Sequence, residues 1–276
     1  MIEAFHFPFI QNAILAGVLA AVACGVIGSL VVVNRSVFMA GGIAHAAYGG
    51  VGIAFFFALP PLPCIIAFSL FIAMIMAALT VKRRGRMDTI IGVLWAVGMA
   101  TGIILIDLTP GYNVDLMSFL FGSILAVSSS DVHIMAGLVV VIVSVVTCFY
   151  KELLSVSYDR EFSQVRGVPV VPLHFLVLAL VAIAVVMTIR LVGLILVMAL
   201  FTIAPYLVER YVSSLVRMMI WASLLNIFFV LFGLWLSWRF DLTSGATIIL
   251  TAAVFFVVFE LLSWVVRSTK IGSVRR

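Results

Sequence analysis

Long apolar runs, interrupted by short polar breaks, set the pattern of this chain. They lie at about 10–33, 38–59, 63–81, 89–107, 132–150, 172–189, 191–208, 218–237 and 244–266. A hydrocarbon core of roughly 30 Å needs about 20 apolar residues in a helix, so the pattern predicts about nine spanning helices. The stretch 114–127, VDLMSFLFGSILAV, is apolar but only 14 residues long. That length suits a short re-entrant or interfacial helix. Spanning helices satisfy their own backbone hydrogen bonds in lipid. The expected fold is therefore an all-α polytopic membrane protein, a single transmembrane domain over 1–276.

Composition reinforces this pattern: 65% hydrophobic and 10% charged residues with a mean hydropathy of +1.35 do not describe a soluble domain. Positive charge flanking short loops marks the cytoplasmic side, and the most basic short loop is Lys82, Arg83, Arg84 and Arg86. Alternating outward from it puts the N-terminus outside and the C-terminus in the cytoplasm. All but Arg190 and Arg239 of the 16 basic residues then fall on the cytoplasmic side. At Arg190 two apolar runs meet almost without a loop, which leaves a broken helix or an eight-crossing version as the alternative. The net charge of +5 is too scattered for a nucleic-acid surface. Cys24, Cys64 and Cys148 lie in apolar runs with no CxxC spacing, so neither a disulfide framework nor a thiolate metal site is expected. No hydrophilic stretch has the size of a nucleotide-binding domain, and no GxxxxGK[ST], HExxH or GxSxG motif occurs. The chain is read as having no catalytic residues, with any ATP hydrolysis done by a separate subunit.

The stretch 39–57, MAGGIAHAAYGGVGIAFFF, holds one histidine among small residues. Gly41, Gly42, Gly49 and Gly50, with the neighbouring alanines, let helices approach closely. Gly41 and His45 are four apart and share a helix face. An ionisable side chain at membrane depth faces protein or water. Two readings stand for His45: a transport-pathway or metal residue, and an imidazole bonding a carbonyl across a helix pair. Asp107 and Asp115 flank a predicted outer loop, as a cation entrance or as helix caps. Asn226, in mid-span, is read as an interhelical hydrogen-bond donor.

Four stretches in order resemble one family, the integral-membrane permease subunits of zinc, manganese and iron ATP-binding-cassette importers. NRSVFMAGGIAHAAYGGVGIAF (34–55) resembles the segment where a histidine follows a small-residue turn and precedes a Gly-rich helix. DLMSFLFGSILAVSSSD (115–131) resembles "SYLFGSIL", VGLILVMALFTIAPYLVER (192–210) resembles "VGxLLVxALLxxPAATA", and FDLTSGATIIL (240–250) resembles "LPSGPLIVL". The resemblance implies a prokaryotic inner-membrane homodimer with a fold similar to cobalamin and siderophore importer permeases. It also implies two cytoplasmic ATPase subunits, an extracytoplasmic metal-binding protein, and a transported divalent metal in place of any permanent cofactor. Relatives often carry an aspartate four residues before the histidine; here that position is Gly41.

Two cytoplasmic loops are candidates for ATPase contact, and each also has the plain reading of a solvated loop rich in Arg. In 205–217, Pro205 ends or kinks a span, and Glu209 and Arg210 precede a short amphipathic turn. In 151–171, Asp159 is placed to N-cap a short helix that contains Glu161 and ends at Gly167. By resemblance the first is favoured as the main contact. The rival readings are a metal-chelate importer permease and an ion-gradient carrier, though no inverted repeat supports the latter.

Overall fold

The computed structural model describes residues 8–82, 87–109 and 127–274. Eleven helices are described: α1 (Pro8–Val33), α2 (Val37–Ala46), α3 (Tyr48–Phe56), α4 (Pro61–Lys82), α5 (Met87–Asp107), α6 (Ser129–Cys148), α7 (Tyr150–Tyr158), α8 (Arg160–Val165), α9 (Val170–Glu209), α10 (Leu215–Phe240) and α11 (Ser244–Val274). Eight described stretches are long and apolar enough to cross a membrane, α2 and α3 together making one of them, Val37–Phe56. The short run at 114–127, apart from Val127, lies outside the described residues.

Of the two readings left open at Arg190, the structure has the broken helix and eight crossings, and the run 191–208 does not make a span of its own. It is a 14-residue arm, Leu196–Glu209, about 21 Å long at 1.5 Å per residue and too short for a full crossing. Gly193 inside α9 has φ 77° and ψ 173°, a conformation that leaves the helix and that glycine adopts without a Cβ penalty. Contacts with α1 give the direction of each arm. Cys24 and Thr188 meet at 3.5 Å, whereas a Cβ on Gly28 would lie 2.7 Å from the Phe201 carbonyl oxygen and 3.0 Å from Pro205 Cγ. The second arm therefore climbs back along α1 toward the end at which the first began.

α1 is the axis of the bundle and packs along α9 and α10. Ala16, Ala20, Ala23 and Cys24 on it are fully buried, because small side chains let three helices close round it. Asn226 of α10 donates to the Leu200 carbonyl oxygen at 3.0 Å and so ties α10 to the return arm. By contrast α11 exposes Val254, Val258, Leu261 and Trp264, as suits a peripheral span with lipid on its outer side.

The span holding the histidine is itself broken, at Ala47 between α2 and α3. Glycines hold both pieces against α5. A Cβ on Gly98 would lie 2.7 Å from Ala46 Cα, one on Gly52 2.5 Å from the Gly102 carbonyl oxygen, and one on Gly102 2.4 Å from the Tyr48 carbonyl oxygen. These obstacles are backbone atoms that no rotamer change can clear. Gly102→Ala is thus expected to lower the thermal unfolding midpoint in detergent, through a loss of about 2 kcal/mol. Gly137→Ala, whose Cβ meets nothing within 4 Å, should leave it unchanged or slightly raised. Equal midpoints for the two variants would show that α3 and α5 do not touch in this way.

Candidate functional site

His45 is the penultimate residue of α2, in its last turn, and is half-buried. Its ring stacks on Trp95 of α5 with centroids 4.1 Å apart and planes 10° from parallel. Trp95 is held in turn by its indole Nε1–H, which donates to Met99 Sδ at 2.9 Å. The close approach of α2 to α5 at Ala46 and Gly98 is what brings the two rings into contact. His45 Nδ1 is buried and has no hydrogen-bond partner among the described residues. A buried ring nitrogen left unpaired costs about 1–3 kcal/mol. With the proton on Nε2, Nδ1 carries an unused lone pair.

The glycines around it are divided among three neighbours. A Cβ on Gly42 would meet Ile91 of α5 at 2.6 Å, one on Gly49 would meet Phe68 of α4 at 2.5 Å, and one on Gly50 would reach Ile65 Cα at 2.8 Å. At Gly41 the obstacle is Met198 of the return arm, with Cε at 2.8 Å and Sδ at 2.9 Å. The thioether thus fills the space a carboxylate at position 41 would use. No cluster of three or more His, Cys, Asp or Glu side chains among the described residues is placed to hold a metal ion. Asp107 is exposed at the far end of α5, twelve residues and about 18 Å along the axis from Trp95. The structure does not bring it to His45, and Asp115 lies outside the described residues.

The two loop candidates differ in build. Asp159 Oδ1 accepts the Phe162 backbone N–H at 2.9 Å, and Ser155 and Ser163 hydroxyls meet at 2.7 Å, which fixes α8 against α7. Glu161 lies exposed in the first turn of α8. Gly167, with φ 81°, follows the end of that helix. Tyr158, Phe162 and Val165 project from this corner at 75%, 55% and 87% exposure. In the other loop, α9 runs through Pro205 to Glu209 and a turn over 210–214 leads to α10, so no separate short helix forms there. That turn is clamped to α11 instead. Arg210 forms an ion pair with Glu260 at 2.7 Å and lies over the Tyr206 ring, its hydroxyl in hydrogen-bond contact. Tyr206 and Tyr211 pack on Phe256 and Phe259, with ring centroids 5.9 and 5.5 Å apart. The Glu260 carboxylate, which accepts from the guanidinium, holds the pKa of Arg210 above its ordinary value, so the guanidinium stays charged.

Sequence reasoning passed over Glu260, although it is the lone acidic residue in the 244–266 run and an acid at that depth signals a partner. Trp95, Met99 and Met198 carried no comparable signal. Glu260→Gln is expected to speed amide hydrogen exchange across 206–214 severalfold, with exchange in α1 unchanged. Unchanged exchange across that turn would show that the ion pair does not restrain it.

Residues 6–263 match the ABC 3 transport family, a range that contains all four family-like stretches. An uncharacterised membrane protein of Synechocystis is 46% identical, the match covering 94% of this chain and 92% of that one. The manganese transport system membrane protein MntC of Listeria monocytogenes is 31% identical over 92% of this chain and 91% of its own. The solved structure of PsaBC from Streptococcus pneumoniae in complex with Fab superposes with a TM-score of 0.83 at 30% identity, covering 94% of this chain and 95% of that one. An inward-facing putative metal-chelate type ABC transporter shares the fold, with a TM-score of 0.71 at 18% identity.

Proposed function

Because the chain belongs to the ABC 3 transport family, we propose that it is the membrane permease of an ATP-driven importer that carries a divalent transition metal into the cytoplasm. Manganese is the cargo favoured by the names of its relatives. The observation that carries the site assignment is the orphaned Nδ1 of His45 beside the Trp95 ring. A buried imidazole with an unused lone pair suits a transient divalent ion. With Gly41 in place of a carboxylate, the ion takes its remaining ligands from water, from other segments or from a second copy of the chain.

A homodimer fits the exposed face of α5. Gly92, Val93, Ala96 and Val97 are exposed beside Trp95, and this smooth face would meet its copy and close the pathway between them. Asp107, at the far end of α5, then stands toward the extracytoplasmic mouth, where a metal-binding protein would deliver the ion. The return arm of α9 preserves the alternation of the segments, which supports a cytoplasmic-membrane location with the N-terminus outside and the C-terminus inside.

ATP hydrolysis falls to separate cytoplasmic subunits, and two segments face them. The α7–α8 corner, shaped by Asp159 and Gly167 and with Glu161 exposed on it, offers apolar side chains to the ATPase. The turn at Pro205, Glu209 and Arg210 passes displacement to α11 through the Glu260 ion pair. Reconstitution with the cognate ATPase and binding protein tests the whole reading: uptake of manganese into vesicles should require ATP. His45→Ala should reduce it roughly tenfold or more while the subunits still co-purify. ATP-independent uptake would refute the importer, and full transport by the variant would return His45 to a packing role.

A further inference from the structure

At the basic end of the bundle, where α1, α4 and α7 end and α2, α5, α8 and α9 begin, the helices enclose a cavity of about 510 Å³. Arg35 and Arg160 line it, with Thr80 and His174, and no Asp or Glu is among the described residues of its wall. Thr80 Oγ1 donates to the Met76 carbonyl oxygen at 2.7 Å. It therefore receives the N–H of His174 Nε2, 3.0 Å away, which fixes that ring in the wall. The rest of the wall is largely apolar, Leu153 and Leu178 included. Arg35 stands in the turn between α1 and α2 with φ 52°. That conformation costs a residue with a Cβ about 1–2 kcal/mol, so the backbone alone would favour glycine there.

Arg35 and Arg160 bring guanidinium N–H donors to the lining of this cavity, a chemistry suited to an anion's oxygens. Its volume exceeds what a free phosphate fills and lies in the range of sites for larger ligands. Its lining divides into a cationic part and an apolar part. We infer that this cavity binds the phosphate headgroup and upper acyl chain of an anionic phospholipid. Guanidinium groups recognise phosphate oxygens by charge-assisted hydrogen bonds, and basic pockets between spanning helices at the cytoplasmic side take anionic headgroups. Placement in the cytoplasmic leaflet rests on the orientation proposed above. A lipid bound here braces the α7–α8 corner against the α1–α2 turn, to which Asn34 Nδ2 already donates a hydrogen bond at Ser157 Oγ, 2.9 Å away.

Native mass spectrometry of the full-length chain in detergent, titrated with phosphatidylglycerol or phosphatidylcholine, tests the inference whatever the chain's orientation or cargo. The unaltered chain should retain phosphatidylglycerol about tenfold better than phosphatidylcholine. Arg35→Gly and Arg160→Gln should each lose most of that preference. The first should keep its unfolding midpoint, since glycine suits the left-handed turn. Equal retention of the two lipids, or an undiminished preference in both variants, would overturn the assignment. Displacement of phosphatidylglycerol by millimolar inorganic phosphate would also overturn it, and would make the cavity a site for a free oxyanion.

Discussion

Contact between the backbones of α3 and α5, made possible by Gly52 and Gly102, is the constraint on which the rest of the site depends. Inside a bilayer no hydrophobic effect draws one apolar helix to another, and association rests on close packing and on interhelical hydrogen bonds. Where a Cβ would come within 2.5 Å of a carbonyl oxygen, only glycine lets the packing form. The same approach continues through Gly98 and Ala46, one residue from His45. It sets the imidazole against Trp95 at a centroid distance of 4.1 Å. The placement of the unpaired His45 Nδ1 is thus a consequence of backbone packing, with the histidine as its passenger.

The reversal at Gly193 organises the other half of the molecule. A straight helix of 40 residues would reach about 60 Å, twice the hydrocarbon core. Turning back instead lays Met198 against Gly41 and brings Arg210 to Glu260 at 2.7 Å. One helix therefore contributes both to the surroundings of His45 and to the clamp near the basic end. Such a continuous path offers a mechanical route between an ATPase and a transport pathway, because rigid elements with two arrangements carry coupling of this kind.

Much of this was legible before any coordinates, for physical reasons that differ from element to element. The spans could be read because bilayer thickness sets helix length. The small-residue face around His45 could be read because packing in lipid selects small side chains. The choice between eight and nine crossings stayed open at Arg190, since Leu191–Val208 is apolar enough for a span and hydropathy does not reveal that Gly193 takes φ 77°. The break at Ala47 was hidden for the same reason, as alanine is a good helix former. The Trp95 stack and the Arg210–Glu260 pair join residues about 50 apart in sequence, and periodicity carries no information on which distant faces meet. The two cytoplasmic loops were legible as local structure, with a turn after Glu209 and a helix at α8 whose Asp159 cap was visible in the sequence.

The account makes His45 a ligand that a metal meets on its way through a pathway otherwise poor in donors. Manganese(II) is paramagnetic, so pulsed electron-nuclear spectroscopy of the assembled importer, loaded with manganese and ¹⁵N-histidine, reads that contact directly. The account expects a manganese–nitrogen coupling that disappears in His45→Ala. A manganese signal without histidine coupling, or a coupling that survives the substitution, would contradict it.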